Sequence, residues 1–389
     1  MDFLKEISKG LDLKATLSND RSAAAIYDDT PDVLPDEAER WNYFFSSGCE
    51  HWFEDIKEQT FSSTFCSLEP AEAEIIVKHW EERTVMLKSS ASSKETDLEG
   101  LLQRAKLALA PLLERLQVAI DLECAKSSEE RAFVKLSTRS PKDSKKALAR
   151  AAAAYRDRVS TNLSLDDNAK WIILSEEVAR ASSVSSAAEA LDLLLDSHRV
   201  FEDLEYALKG PSTEVGESNK PLNWRMSLVA RSWDPRLTPE SEFRGIVWNG
   251  KFTCLCQYFH PLHFPALEER KAEIERDIKA AYDSLAVRNA VARLGGHCII
   301  DFAWLGPREV IVIELNPFDG VCLGTFPAST GLFLWEDTND KAIMKGESPF
   351  EFRTRSEPLD PAALWNQTNS DWREIVSPHN HESAHENAA

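Results

Sequence analysis

The sequence predicts an α+β protein, and three features of the 389-residue chain carry that expectation. The first half holds long runs with helical spacing of apolar residues. The second half holds short apolar runs with strand content, and the change falls at a Gly- and Pro-containing stretch, GPSTEVGESNKP, over 210–221. Two second-half runs meet at Asn249-Gly250, a dipeptide suited to the positive φ of a tight hairpin, and two more flank Gly306-Pro307. Antiparallel hairpins segregated from helices point to α+β rather than to an alternating parallel fold.

In chain order, residues 1–40 are short in aromatics, include the acidic stretch around Pro31, and read as a flexible extension. Aromatics then crowd together, among them Trp41, Tyr43, Phe44, Trp52 and Phe53, and 60–67 has strand content. Over 101–124 the spacing is helical, with Pro111 either starting a second helix or kinking one. A strand at 132–137, a turn at Ser140-Pro141 and an Ala-rich helix to about Arg158 follow. Ser186-Ala187-Ala188-Glu189 has capping-box spacing, and the run through Leu191, Leu194, Leu195, Val200 and Leu204 predicts one helix behind it. Beyond the linker, strands are expected at 226–230, 242–248, 251–258, 298–304 and 310–315, with a helix over 266–285. The resulting plan is an extension (1–40), an N-terminal α+β lobe with a helical insertion (41–225), a C-terminal lobe (226–360) and a tail (361–389).

With 45 Lys and Arg against 65 Asp and Glu, the net charge is −20, which argues against nucleic acid and acidic membrane surfaces as partners. The densest basic run, KDSKKALARAAAAYRDR over 142–158, reads as a solvated helix face. The 11 Trp and 18 Phe at 43% hydrophobic content belong to a chain that folds, and 14 Gly with no GxGxxG leave little room for a glycine-rich phosphate loop. Seven scattered cysteines and a charged opening, MDFLKE, lead us to expect reduced thiols in a cytoplasmic protein. No run approaches the ~18 apolar residues of a membrane span.

Three local patterns are decoys. Gly245 to Lys251 has P-loop spacing, but Phe252 stands where Ser or Thr is needed and the intervening residues are strand formers. Cys254, Cys256, His260 and His263 suggest zinc, yet Cys-x-Cys on one strand lacks the turn spacing of structural sites. His379, His381 and His385 read as part of the tail.

The segment that carries chemistry is CIIDFAWLGPREVIVIELNPFDG over 298–320. If the hairpin loop is 306–309, Leu305 faces Val310, Asp301 falls opposite Glu314, and Asn316 shares their face. Adjacent carboxylates in an apolar hairpin need a cation between them, and an oxygen-only set suits Mg²⁺; the alternative is that each carboxylate pairs with an Arg or Lys. Lys135, on the apolar strand AFVKLS with Phe133 and Ser137 on its side, either snorkels or reaches for a phosphate.

FVKLSTRSPKD at 133–143, SLVARSW at 227–233, EFRGIVWNGK at 242–251, and ELNPFDG at 314–320 followed by GLFLWED at 331–337 resemble the cell division cycle protein 123 family. Cys49, Trp52, Phe53, Thr60 and Ser62 match more loosely, so the resemblance runs with gaps over 49–355. It implies an ATP-grasp-like fold of two α+β lobes, with ATP and Mg²⁺ held between antiparallel sheets. It also implies a monomeric assembly chaperone that binds the gamma subunit of eukaryotic translation initiation factor 2. Carried over by position, Lys135 and Ser137 would contact phosphates. Leu228, Val229, Ala230 and Arg231 would hold the adenine edge through their backbone. Asp301, Glu314 and Asn316 would hold the metal, and Arg244 matches the arginine of the Glu-Phe-Arg strand. The metal strand departs from the family's Asp-Phe-Asn-Pro, reading Glu314-Leu315-Asn316-Pro317, which keeps the carboxylate on a longer arm. A carboxylate–amine ligase is the alternative function, because the same fold and metal cluster serve acyl phosphate formation.

Overall fold

The computed structural model describes residues 37–88, 94–162, 164–210, 224–317, 330–335, 337–368 and 370–377. The predicted extension up to residue 36, almost all of the 210–221 linker and the His-containing end of the tail lie outside the described residues.

The described strands form two sheets. The first contains β1 (Ser63–Leu68), β2 (Ala132–Leu136), β3 (Ser183–Val184) and β4 (Met226–Ser232), in the order β1-β4-β2-β3 and antiparallel throughout. The second contains β5 (Glu242–Trp248), β6 (Lys251–Gln257), β7 (Cys298–Gly306), β8 (Glu309–Pro317) and β9 (Glu351–Arg353), in the order β8-β7-β5-β6-β9, with only β6 and β9 parallel. The mixed α+β class is as expected. One assignment changes: β4, placed by sequence with the C-terminal lobe, is the central strand that joins β1 to β2, because a strand's distant partners leave no mark on its own pattern.

Local chemistry explains the helices. Pro111 starts a second helix, Ala110–Cys124, behind Lys94–Ala108, since a proline without an N–H is harmless in a first turn. Ser144 caps Lys145–Ser160 by accepting from the Ala147 N–H, and Ser186 caps Ala187–Leu195 by accepting from the Glu189 N–H. The single helix expected through Leu204 is two, because Ser197 caps a new one, His198–Lys209. Buried Asp196 holds the break, accepting from Arg83 and from the Lys146 N–H. The apolar stripe of these helices and one face of the first sheet (Ala132, Val134, Leu136, Leu228, Ala230) share a core. A second core runs from Trp52 through Leu148 and Val178 to Phe243, Ile300 and Phe302 of the other sheet. Residues 361–376, read as tail, include two helices, Pro361–Gln367 and Ser370–Val376, and Leu364 is buried in the second core.

The decoys resolve structurally. Asn249 and Gly250 have φ of 51° and 69°, a hairpin turn between β5 and β6, and a Cβ on Gly245 would lie 2.3 Å from the Phe252 ring. That glycine makes room for an aromatic ring across the hairpin. Cys254 and Cys256 are buried against Phe333 and Met344, and the six described cysteines are free thiols. No helix among the described residues is long and apolar enough to cross a membrane.

Candidate functional site

The hairpin of β7 and β8 sets Asp301 opposite Glu314 by a route that differs from the expected one. Trp304, not Leu305, faces Val310, which leaves Leu305 as an extra residue. The ladder then shifts back between Phe302↔Val312 and Asp301↔Glu314, where Ile313 is the extra residue. Two bulges of opposite effect cancel, and the carboxylates end on one face. The second bulge has its own use. The Ile313 carbonyl accepts a 2.6 Å hydrogen bond from Nη1 of Arg231 on β4 of the other sheet.

Each carboxylate has a basic partner. Arg244, opposite Asp301 on β5, grips it through two bonds of 2.8 Å, from Nε to Oδ1 and from Nη2 to Oδ2. Lys135, 2% exposed, reaches from β2 across to the other sheet and donates to Glu314 Oε2 at 2.7 Å. Asn316 lies 3.2 Å from Asp301 Oδ2 and 3.3 Å from Glu314 Oε1. Like-charge repulsion alone therefore does not require a metal here, since Arg244 and Lys135 neutralise the pair. The donor set still fits Mg²⁺. Two carboxylates and an amide whose oxygen and nitrogen can exchange places by rotation converge within one hydrogen bond of each other. Among the described residues no group of three or more His, Cys, Asp or Glu is placed to hold a metal ion.

Between the sheets lies a cavity of about 500 Å³, within the usual range for small-molecule sites. Lys135, Arg231 and Glu314 line it together with Lys142, Glu242 and Tyr258, while Phe61, Phe133, Trp233 and Ile313 supply apolar wall. Arg231 is 4% exposed, and its buried Nε and Nη2 have no hydrogen-bond partner among the described residues. The guanidinium thus brings a positive charge to the cavity wall, with Nε and Nη2 themselves covered.

The electrostatics of the cavity follow from crowding of opposite charges. Burial opposes the charge of Glu314, but Lys135, Lys142 and Arg231 outweigh it and hold its carboxyl well below the usual range. Burial likewise opposes the charge of Lys142, yet Tyr258, Glu242 and Glu314 hold its ammonium above the usual lysine range. Glu242 is raised to about 7, by burial first and with Asp301 and Glu314 adding to it against Lys142. His260, also on the wall, is lowered to about 4 by burial and by Arg355 and Arg244. This part of the cavity thus sets Lys135, Lys142 and Arg231 beside the firmly ionised Glu314.

Several predicted residues meet here and others do not. Lys135, Arg231 and Glu314 share the cavity, and Arg244, Asp301 and Asn316 adjoin it through Glu314. Residues Leu228, Val229, Ala230 and Arg231 pair with β1 on one side of β4 and with β2 on the other. The backbone of Leu228 to Arg231 is therefore committed to the sheet and cannot also receive an adenine edge, so the side chain of Arg231 is what this strand offers. Ser137 is buried, with Oγ toward Met226 Sδ at 4.0 Å and its backbone tied to Cys49 and Ser227, outside the cavity lining. Lys142, Glu242 and Tyr258 were not singled out by sequence. Lys142 and Glu242 sit inside the quoted 133–143 and 242–251 segments, which was the only available signal.

The model of the family described as D123 matches residues 52–375 of the chain. C-terminally truncated Cdc123 from Schizosaccharomyces pombe has a similar structure, with a TM-score of 0.50 and 18% identity over 81% of this chain and 98% of that one. A further structure of Cdc123 from Schizosaccharomyces pombe gives a TM-score of 0.48 at 18% identity, covering 80% of this chain and 97% of that one. At such identity the first likeness speaks for the fold. None of the curated proteins matches the chain.

Proposed function

From the premise that this chain belongs to the D123 family, we propose that it is an ATP- and Mg²⁺-binding assembly factor for eukaryotic translation initiation factor 2 that binds the gamma subunit. The observation that carries the nucleotide reading is the junction of Lys135 and Glu314, a buried cation from one sheet on a carboxylate from the other, at the wall of a cavity of nucleotide size. Lys135, Lys142 and Arg231 supply positive charge for phosphates. Phe61, Phe133 and Trp233 offer apolar surface for a base.

Asp301, Glu314 and Asn316 are the residues that would hold Mg²⁺, which when bound neutralises charge on the phosphates. The chain's own groups divide the remaining work. Arg244 fixes the Asp301 carboxylate from both oxygens, so its orientation is set before any ligand arrives. Lys135 is a point charge that can pass from Glu314 to a phosphate without leaving the cavity. Arg231 donates to the Ile313 carbonyl of the other sheet and so fixes a positive charge at the cavity wall.

Affinity capture from a eukaryotic lysate with the full chain as bait tests the assembly role. Enrichment of the gamma subunit is the expected result. Its absence, together with ADP release that depends on an added amino acid or peptide, would replace this reading by a ligase.

A further inference from the structure

The two C-terminal helices, Pro361–Gln367 and Ser370–Val376, follow β9 of the five-stranded sheet yet dock on the helix pair Lys145–Ser160 and Asp167–Ala181, which leads into β3 of the other sheet. Leu364 is 1% exposed in the shared core, the Trp365 ring meets Trp171 edge-on at 6.3 Å, and Asp371 forms a 2.7 Å ion pair with Lys145. Asp360 starts the first helix by accepting from the Ala362 and Ala363 N–H groups. The chain therefore crosses from one half of the molecule to the other and is fastened there by an apolar plug, a ring contact and an ion pair.

This crossing reaches the cavity. Asp371 and Trp372 line it, and Trp372 packs on the apolar cluster that contains Leu148 and Val178, which line it too. We infer that the helix pair at 361–376 is a strap that completes the nucleotide cavity, with Trp372 as a wall for the base. The inference rests on the nucleotide reading above. Its placement is argued from polarity: Lys135, Lys142 and Glu314 occupy the charged part of the cavity, whereas Trp372 belongs with the aliphatic side chains of the helix pair. An indole at that position stacks on a purine, and it carries no charge that would attract the phosphates. Because the strap bridges both halves, a ligand that touches Trp372 and Lys135 together is held by elements from opposite walls of the cavity.

Two probes separate this role from a structural one: a non-hydrolysable ATP analogue with Mg²⁺, and inorganic tripolyphosphate with Mg²⁺, which has no base. In the full chain, Trp372→Ala should weaken the ATP analogue by about tenfold or more and leave tripolyphosphate affinity unchanged, while Trp372→Phe should retain most of the ATP affinity. Unchanged ATP affinity in Trp372→Ala would overturn the base wall with the nucleotide reading intact. Equal loss of both probes would overturn it in favour of a structural tryptophan. Failure of the unaltered chain to bind either probe would overturn both readings.

Discussion

Replacing Arg244 by alanine isolates the electrostatics on which the site is built. The guanidinium holds both oxygens of Asp301 at 2.8 Å, with side chains 15% and 2% exposed. Arg244→Ala leaves the Asp301 carboxylate in the sheet without its basic partner, with Asn316 at 3.2 Å as its remaining polar contact among the described residues and Glu314 as its register partner. Removing one partner of a buried pair costs about 3–5 kcal/mol, and the Asn316 bond together with the adjoining cavity places the expectation at the lower end, about 3 kcal/mol. Urea unfolding read by tryptophan fluorescence should show the midpoint falling by roughly 1 M, with the slope unchanged, if the slope is about 3 kcal/mol/M. Arg244→Ala combined with Asp301→Ala should be more stable than Arg244→Ala alone, because no unpaired carboxylate then remains. A single variant that loses less than about 1 kcal/mol, or a double variant whose loss is the sum of the two singles, would refute the reasoning.

Lys135→Ala should weaken an ATP analogue by about a hundredfold and also lower thermal stability, since it strips Glu314 of its 2.7 Å partner; a loss of stability alone would make Lys135 part of the scaffold. Glu242, raised from its ordinary 4.5 to about 7, binds more protons folded than unfolded between those values, so its contribution to stability falls as pH rises through that window. Glu242→Gln should accordingly gain about 1–3 kcal/mol at pH 8 and nothing at pH 4, measured by denaturant unfolding; equal effects at both pH values would contradict this. Gly250→Val should cost about 1 kcal/mol or more from its φ of 69° alone, since a Cβ there meets no atom within 4 Å. Lys251→Ala should leave nucleotide affinity nearly untouched, because its Nζ is bound to the Gly346 carbonyl at 3.0 Å in an exposed position; a hundredfold loss would relocate the phosphate site.

How far the sequence could be read depended on whether the deciding interaction was local. Ser186 acts within a turn of the helix it starts and Asn249-Gly250 within its own hairpin, so both were legible, whereas Pro111 left a helix start and a kink equally open until the structure chose the start. The helix break at Asp196 was missed although its cap, Ser197, is local; the part no local pattern shows is the hold on Asp196 by Arg83, more than a hundred residues away. Asp301 and Glu314 were paired correctly from a period-two pattern that cannot show bulges; two bulges compensated, and one of them frees the Ile313 carbonyl for Arg231. Arg244 was recognised, but its grip on Asp301 was not foreseen, because that contact depends on β5 being the neighbour of β7. Glu242 and Tyr258 are neighbours at the open end of the β5–β6 hairpin, where the Tyr258 N–H donates to the Glu242 carbonyl, but Lys142 and Trp372 come from distant segments, and only the folded chain brings them to the same cavity.

The central claim is that the cavity between the sheets binds ATP with Mg²⁺ through Asp301 and its neighbours. Calorimetric titration of the full chain with a non-hydrolysable ATP analogue, with and without Mg²⁺ and repeated on Asp301→Ala, tests it most directly. The account predicts Mg²⁺-dependent binding by the unaltered chain and none detectable in a folded Asp301→Ala protein; equal affinity in the two proteins would contradict it.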